Sequence, residues 1–275
     1  MSPPPDATPA VVLDAVTHRY GDTHAVRDVD LSIAAGETVA LVGPSGAGKT
    51  TVLRLIAGML RPTAGRVSLH GQPLQDLKPG QDLTGLVGMV QQRLDLVPQL
   101  SVKHNVQAGS LGRWSLARSL AALLLPVEQP AARAAVRRVG IDHKFHQRVS
   151  RLSGGEQQRV ALARLLVQEP RIVLADEPVA SLDPARADDL LALLARLARE
   201  SGNTLVASLH TPHLARRHFS RMVGLRDGRV VFDRPAEAVT AELLDDVYRL
   251  PDGAEAGSPP PPTAIAADQA TAAGR

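Results

Sequence analysis

The sequence predicts an α/β fold, in which a mixed and mostly parallel sheet carries helices on both faces. Three features indicate this class. A glycine-rich loop at residues 43–50 stands between a short apolar run and a stretch with helical spacing. The apolar run at residues 172–175 ends in two carboxylates, and such a continuous run is typical of a central parallel strand. Residues 94–150 are rich in helix formers and lack a strand pattern, which predicts a helical insert.

The glycine-rich loop matches the phosphate-binding loop of nucleoside triphosphatases at every motif position. Its glycines let backbone N–H groups turn toward phosphate oxygens, and the helix N-terminus adds about half a positive charge. Lys49 suits the β and γ phosphates, and the Thr50 hydroxyl suits Mg²⁺. The fold is therefore predicted to be a P-loop NTPase core. The predicted nucleotide contacts in the loop are Gly43, Pro44, Ser45, Gly46, Ala47, Gly48, Lys49, Thr50 and Thr51.

Residues 11–16, 26–33 and 39–42 are predicted to be strands, and an antiparallel β region is expected in the N-terminal part. Tyr20 stands just before the first turn. An exposed aromatic ring near a nucleotide can stack on the base, which contributes about 1–3 kcal/mol. A core tyrosine at a strand end is the other interpretation, and the local sequence does not separate the two.

Polar side chains follow three further apolar runs. Asp176 and Glu177 follow the run at 172–175, Gln92 follows 86–90, and His210 follows 203–209. Open α/β sheets bind ligands at the carboxyl ends of their strands, so Asp176 can hold Mg²⁺ and Glu177 can be a general base for water. Gln92 could reach a metal ion or water, and His210 could reach the γ-phosphate. A surface glutamine and a structural histidine are the simpler interpretations of each residue taken singly.

The segment Leu-Ser-Gly-Gly-Glu at 152–156 opens another predicted helix. Ser153 and Glu156 form a capping box. Gly154 and Gly155 in the first turn weaken the helix by about 1 kcal/mol each relative to alanine. Glycines at a helix start leave the backbone amides accessible, which offsets this loss of helix stability where an anion must approach closely. The segment is therefore predicted both to cap the helix and to bind an anion.

Composition excludes several classes of protein. The 275 residues include no cysteine, which removes disulfides, thiolate metal sites and cysteine nucleophiles. No apolar run approaches the roughly 18 residues of a membrane span, and the first residues lack a signal-peptide pattern, so we expect a cytoplasmic chain. The net charge of +3 and the lack of a long basic stripe argue against a nucleic-acid partner.

Domain boundaries follow from changes in composition. Residues 1–9 and 250–275 are rich in proline and small residues, so we expect disordered termini around one domain at 10–249. The helical insert is placed at about 93–160, with Trp114 as a packing or docking residue and a helix at 116–125. Asp227-Gly228 between two apolar runs predicts a hairpin.

These motifs, in this order, resemble the ATP-binding cassette (ABC) ATPases over residues 11–249. The Leu-Ser-Gly-Gly segment distinguishes cassette ATPases from other nucleoside triphosphatases, because phosphate loops alone occur in many unrelated families. Within the superfamily, the sequences LADEPVASLDP at 174–184 and VGLRDGRVVFD at 223–233 are most similar to the ATPase subunits of phosphonate and phosphate-ester importers.

The resemblance implies roles for individual residues. Tyr20 would stack on adenine, Thr50 and Gln92 would contact Mg²⁺ with support from Asp176, Glu177 would activate water, and His210 would sense the γ-phosphate. Ser153, Gly154 and Gly155 would act on the ATP held by a second copy in a head-to-tail dimer, with Asp183 across that interface.

The resemblance also implies partners and a location. An integral membrane permease and a periplasmic or lipid-anchored substrate-binding protein would complete the importer. The chain would lie on the cytoplasmic face of the cell membrane. A cassette ATPase for another solute, a soluble cassette protein acting on DNA or ribosomes, and a regulatory switch with little turnover are the alternatives; an intact Glu177 and His210 argue against the last.

Overall fold

The computed structural model describes residues 8–78, 80–113, 130–180 and 182–249. Four predicted features lie outside this part: Trp114, the helix at 116–125, the tail at 250–275, and the disordered N-terminus except for residues 8–9. The strands are β1 Val11–Tyr20, β2 Thr23–Ile33, β3 Thr38–Val42, β4 Ala64–Leu69, β5 Gln72–Pro73, β6 Val87–Val90, β7 Ile172–Asp176, β8 Thr204–Leu209, β9 Arg221–Arg226 and β10 Arg229–Pro235. The α-helices are α1 Lys49–Ile56, α2 Gln81–Leu86, α3 Val102–Gln107, α4 Pro130–Arg138, α5 Gly154–Gln168, α6 Pro184–Ser201, α7 Pro212–His218 and α8 Ala241–Tyr248.

The strands form two sheets. An antiparallel sheet has the order β2-β1-β4-β5, and a six-stranded sheet has the order β10-β9-β3-β8-β7-β6. In the larger sheet only β9 and β10 pair antiparallel, around the predicted turn at Asp227-Gly228. The predicted mixed, mostly parallel sheet and the N-terminal antiparallel region are both confirmed.

The first two strands are longer than predicted because each contains a bulge. Ala15 and Asp28 have φ of 48°, and the β1–β2 register shifts around both positions. Side chains support these bulges, since Asp30 accepts from the Ala15 N–H at 2.8 Å and Thr17 accepts from the Asp28 N–H at 3.0 Å. Pairing therefore continues as far as Tyr20, where simple alternation had predicted an end at residue 16.

The parallel strands are covered on both faces. Every residue of β3, β7 and β8 is buried, as their continuous apolar sequences predict. One core cluster joins the two sheets to α1, and the other joins the opposite face of the large sheet to α5, α6 and α7. This packing fixes the carboxyl ends of β3, β6, β7 and β8 along one edge, where the candidate site residues lie.

The described part of residues 93–153 contains helices and short 3-10 turns. Helices α3 and α4 pack against α5. A single isolated bridge, between Ser101 and Arg148, interrupts this helical section of the described chain. Asn105, which is 3 % exposed, accepts from the Val97 N–H at 2.7 Å and donates to the Ser101 carbonyl at 3.1 Å, so it anchors the loop before α3.

Sequence reasoning did not identify α2, α6, α7 or α8. The signals for α6 were present: Asp183 caps its start, Pro184 occupies the first helical position, and Gly202 ends it with φ of 67°. Leu86, expected to begin a strand, ends α2 instead, and β6 begins at Val87.

Candidate nucleotide-binding site

The phosphate loop connects β3 to α1, and backbone contacts fix its shape. Gly43 has φ of 151°, and a Cβ atom there would lie 2.1 Å from the Leu225 carbonyl oxygen. Gly48 has φ of 100°, and its Cβ would lie 2.5 Å from the Ala25 carbonyl oxygen. Only glycine fits at these two positions, since a side chain would collide with backbone that cannot move aside.

Lys49 is the first residue of α1, is 4 % exposed, and its side chain returns to the start of the loop. Its Nζ donates to the carbonyl oxygens of Gly43 at 2.8 Å and Pro44 at 2.9 Å. Burial lowers the pKa of the Lys49 ammonium, while the negative charges of Glu177 and Asp176 act in the opposite direction. Phosphate oxygens are stronger acceptors than these carbonyls, so the ammonium is placed to exchange them for a bound phosphate.

Asp176 ends β7, is 7 % exposed, and holds the start of α1. Its Oδ1 accepts from the Thr50 hydroxyl at 2.9 Å and from the Ser208 hydroxyl at 2.8 Å. The fully buried Ser208 also accepts from the backbone N–H of Glu177 at 2.9 Å. One hydroxyl therefore bonds both the Asp176 carboxylate and the Glu177 backbone, and sequence reasoning missed it. The available signal was a hydroxyl residue within an apolar strand, two positions before His210.

Glu177 and His210 form a pair across the ends of β7 and β8. The distance between Glu177 Oε1 and His210 Nε2 is 2.5 Å. Glu177 has φ of 48°, an uncommon conformation for a residue other than glycine. Such conformations cluster at functional sites, where the surrounding structure holds them. The structure thus brings together Lys49, Asp176, Glu177 and His210, as the motif order predicts.

Tyr20 and Gln92 lie at the ends of other strands. Tyr20 is 46 % exposed, and its ring forms a T-shaped contact with the His18 ring, with centroids 4.7 Å apart. Its position excludes the core interpretation and leaves much of the side chain open to a ligand. Gln92 is exposed two residues beyond β6. Both remain predicted contacts.

The helix α5 begins with the predicted capping box. Ser153 N–H donates to Glu156 Oε2 at 2.8 Å, and the Glu156 N–H donates to Ser153 Oγ at 3.4 Å. The Ser153 backbone N–H is the main cause that lowers the pKa of Glu156. A Cβ added to Gly154 or Gly155 would meet no atom of the described chain within 4 Å. The fold of one chain therefore does not require these glycines, and the space beside both Cα atoms is open.

These residues do not share a cavity with the phosphate loop. The loop, Ala25 and Glu177 line a cavity of about 300 Å³. Ser153, Gly155 and Arg186 line a separate one of about 320 Å³. Asp183 is exposed at the start of α6, where it accepts from the Arg186 N–H at 3.1 Å as an N-cap. Within one chain, Ser153 and Gly155 thus line a different cavity from the predicted phosphate contacts.

The fold and this site define a phosphate-loop nucleoside triphosphatase. A family model described as "ABC transporter" matches residues 26–180. The chain therefore belongs to the ABC transporter family, and the resemblance to cassette ATPases is confirmed. With the family assigned and the phosphate loop complete, the expectation that the chain is an ATPase is confirmed as well.

Curated relatives cover most of the chain. A "Phosphonates import ATP-binding protein PhnC" from Anaeromyxobacter dehalogenans is 49 % identical over 91 % of the chain, and the chain spans only half the length of that protein. Proteins of the same name from Pseudomonas fluorescens and Pseudomonas putida are each 45 % identical, over 85 % and 92 % of the chain, and the chain covers 89 % and 93 % of them.

Solved structures share the fold. CbiO1 from Clostridium perfringens, part of the ABC transporter complex cbiONQ, superimposes with a TM-score of 0.73 at 26 % identity over 84 % of this chain and 90 % of its own. The cassette MJ0796, in a dimeric post-hydrolysis state with ADP and Pi, gives 0.71 at 29 % identity over 83 % of this chain and all of its own.

Proposed function

We propose that this chain is the ATP-hydrolysing subunit of an importer for phosphonates or related phosphorus compounds. The observation that carries the proposal is the connected set of bonds that joins Thr50, Asp176, Ser208 and Glu177 to His210 beside the phosphate loop. The names of the curated relatives support phosphonate as the solute, because identities of 45–49 % extend over nearly the whole chain.

The donor set fits Mg²⁺ as well as ATP. The Thr50 hydroxyl and the Asp176 carboxylate are hard oxygen donors, which this ion prefers. The described residues contain no group of three or more histidine, aspartate or glutamate side chains that could hold a metal ion. An ion here would share its coordination between Thr50, Asp176, Gln92 and phosphate oxygens, the usual arrangement for Mg²⁺. When bound, it supplies positive charge that neutralises the phosphates.

The other steps of ATP binding and hydrolysis are carried out by side chains of this protein. Lys49 releases the Gly43 and Pro44 carbonyls and binds the β and γ phosphates. Tyr20 stacks on adenine with its open face. Glu177 accepts a proton from the attacking water, and His210 orients the Glu177 carboxylate and contacts the γ-phosphate. A positioned base of this kind accelerates a reaction by about 10²–10⁴-fold.

The complete site needs a second copy of the chain. Ser153, Gly154 and Gly155 would meet the ATP held on the phosphate loop of the partner copy in a head-to-tail dimer, and Asp183 would lie across that interface. Two observations support this arrangement: Ser153 and Gly155 line a different cavity from the phosphate loop in one chain, and the space beside Gly154 and Gly155 is open. ATP that contacts both copies favours the closed dimer, and hydrolysis releases it.

Contacts of Arg164 in α5 support a route from this helix toward a permease. Arg164 of α5 donates to the carbonyl oxygens of Leu94 and Asp95, both at 2.7 Å. These residues follow Gln92 and precede the exposed side chains of Val97 and Leu100. In the proposed importer, these bonds would transmit a movement of α5 to Val97 and Leu100, which would contact the permease.

A membrane permease is the partner that this proposal requires. Among the described helices, none has the length and apolar character to cross a bilayer. The chain would then act at the cytoplasmic face of the cell membrane, with a substrate-binding protein on the opposite side.

Growth of a deletion strain tests this proposal. Cells without the gene are grown on phosphate, phosphite, phosphate esters or phosphonates as sole phosphorus source, and complemented with the wild-type or Glu177→Gln gene. We expect loss of growth on phosphonates, and rescue by the wild-type gene alone. Growth on phosphonates without the gene contradicts the assigned solute, and rescue by Glu177→Gln contradicts the assigned base.

A further inference from the structure

Tyr248, the last residue of α8, lies between two loops of the candidate site. Its hydroxyl accepts from the Gly43 N–H at 3.1 Å and donates to the His210 carbonyl oxygen at 3.5 Å. Gly43 and His210 follow β3 and β8, which pair in parallel through Val42 and Leu209. One hydroxyl therefore joins the start of the phosphate loop to the histidine-bearing loop.

The packing of α8 holds this hydroxyl in place independently of the site. Val247 is fully buried and packs against Gly224. A Cβ atom added to Gly224 would lie 2.8 Å from Val247 Cγ2. Leu244 packs against the core cluster, and the Thr240 side chain caps the helix by accepting from the Leu243 N–H at 3.4 Å. Because these contacts involve none of the nucleotide-site residues, the hydroxyl is a fixed point against which the two loops are set.

The Gly43 peptide depends on this fixed point during a catalytic cycle. In the structure, its carbonyl accepts from Lys49 and its N–H donates to Tyr248. Under the proposed function Lys49 turns to the phosphates, which leaves the Tyr248 bond to hold the peptide. Burial raises the pKa of Tyr248, partly offset by the Gly43 N–H, so the hydroxyl keeps its proton at neutral pH.

We propose that Tyr248 is a positioning residue for ATP hydrolysis: its hydroxyl sets the distance between the phosphate loop and the His210 loop. This inference rests on the proposed role of His210 at the γ-phosphate. A purely architectural role for Tyr248, as an anchor of α8, is the alternative that the experiment must separate.

The experiment compares two variants of the full-length chain. Tyr248→Phe keeps the ring and removes the hydroxyl. We expect kcat to fall about tenfold with the KM for ATP nearly unchanged, because misplacement of about 1 Å at a reacting centre can cost up to about 100-fold in rate. Leu244→Ala is the control in the same helix: it removes core packing, so it lowers Tm more than Tyr248→Phe does and leaves kcat unchanged below the melting range.

Each outcome bears on the inference. A wild-type kcat in Tyr248→Phe overturns it, as does an equal loss of kcat in Leu244→Ala, which would make α8 only an anchor. His210→Ala, measured in parallel, tests the proposed function separately. If that variant keeps full turnover, the role of His210 is wrong; if it is inactive while Tyr248→Phe is normal, only the inference about Tyr248 fails.

Discussion

The Ser208 hydroxyl lies 2.8 Å from Asp176 Oδ1 and 2.9 Å from the backbone nitrogen of Glu177, so it is bonded to both consecutive acidic residues at once. It donates to one and accepts from the other, which uses the two functions of a single hydroxyl. A fully buried side chain on β8 thereby sets the geometry at the end of β7.

Removal of this hydroxyl should affect both stability and turnover. In Ser208→Ala, the Glu177 N–H loses its acceptor inside the protein, which costs about 1–3 kcal/mol for a buried group. We expect a lower urea midpoint and a lower rate of phosphate release. Thr204→Val is the control: Thr204, at the opposite end of β8, accepts from the Gly36 N–H at 3.0 Å. The Thr204→Val variant should lose stability but keep its rate of turnover. A normal rate of turnover in Ser208→Ala would refute the positioning role of Ser208.

Glu177→Gln should bind ATP and fail to hydrolyse it. The amide keeps the shape of the side chain but cannot take a proton from water, so turnover should fall by about 10²–10⁴-fold. Equilibrium binding and phosphate release measure the two effects separately. Glu169→Gln makes the same charge change in a residue with the same left-handed backbone, φ of 49°, at the C-terminal end of α5. If Glu177→Gln and Glu169→Gln have equal turnover, Glu177 is not the base.

Lys49→Met should weaken ATP binding without unfolding the chain. The lysine charge is predicted to contact phosphate, and hydrogen bonds to charged groups contribute about 1.5–3 kcal/mol, so affinity should fall by about 10–150-fold. The melting temperature without nucleotide should not decrease, because burial already disfavours the ammonium. Calorimetric titration and thermal melts test both statements. Unaltered affinity would show that phosphates do not bind at this loop.

Gly155→Leu should yield a more stable but less active protein. A side chain at this position meets open space in one chain, and leucine favours a helix over glycine by up to about 1 kcal/mol. The same side chain would obstruct the proposed approach of the partner's nucleotide. We expect a raised Tm, normal ATP binding by the monomer, and loss of ATP-dependent dimerisation and turnover.

Gly85→Leu is the control for that change, because a Cβ at Gly85 in α2 also meets no described atom within 4 Å. It should keep dimerisation and turnover. Light scattering with the non-hydrolysing Glu177→Gln background measures the dimer directly. Normal dimerisation of Gly155→Leu would contradict the proposed interface.

The capping box should make α5 sensitive to acid. The folded chain lowers the pKa of Glu156, so its carboxylate stabilises the fold above the ordinary glutamate pKa of about 4.5. This contribution is lost as the pH falls below that value through the lowered folded pKa. Glu156→Gln retains an acceptor for the Ser153 N–H but cannot titrate. The stability advantage of wild type over Glu156→Gln should therefore shrink from pH 6 toward pH 3, as measured by urea unfolding; a constant difference would exclude this linkage.

Local signals in the sequence predicted much of the site. The phosphate loop, the capping box at Ser153 and the hairpin at Asp227-Gly228 are encoded within a few residues, and the structure has each of them where predicted. The parallel strands were recognisable because burial on both faces requires unbroken apolar runs.

Residues whose importance arises from long-range contacts were not predictable in this way. Ser208 and Tyr248 act through partners 31 and 205 positions away in sequence, and neither lies in a motif. Tyr20 illustrates the same limit: its local sequence permitted two interpretations, and only its exposure in the folded structure excluded a core position. The bulges at Ala15 and Asp28 are likewise tertiary features, because side chains of neighbouring strand segments support them.

The separate cavities of the phosphate loop and of Ser153 have a kinetic consequence. In the proposed dimer each copy carries two unlike half-sites and cannot complete either one by itself, so the rate per molecule in dilute solution should increase with protein concentration. Two copies attached side by side to one permease would experience a local concentration of about millimolar, as short tethers provide. Such attachment would restrict ATP consumption largely to assembled transporters and spare the cell futile hydrolysis by stray subunits.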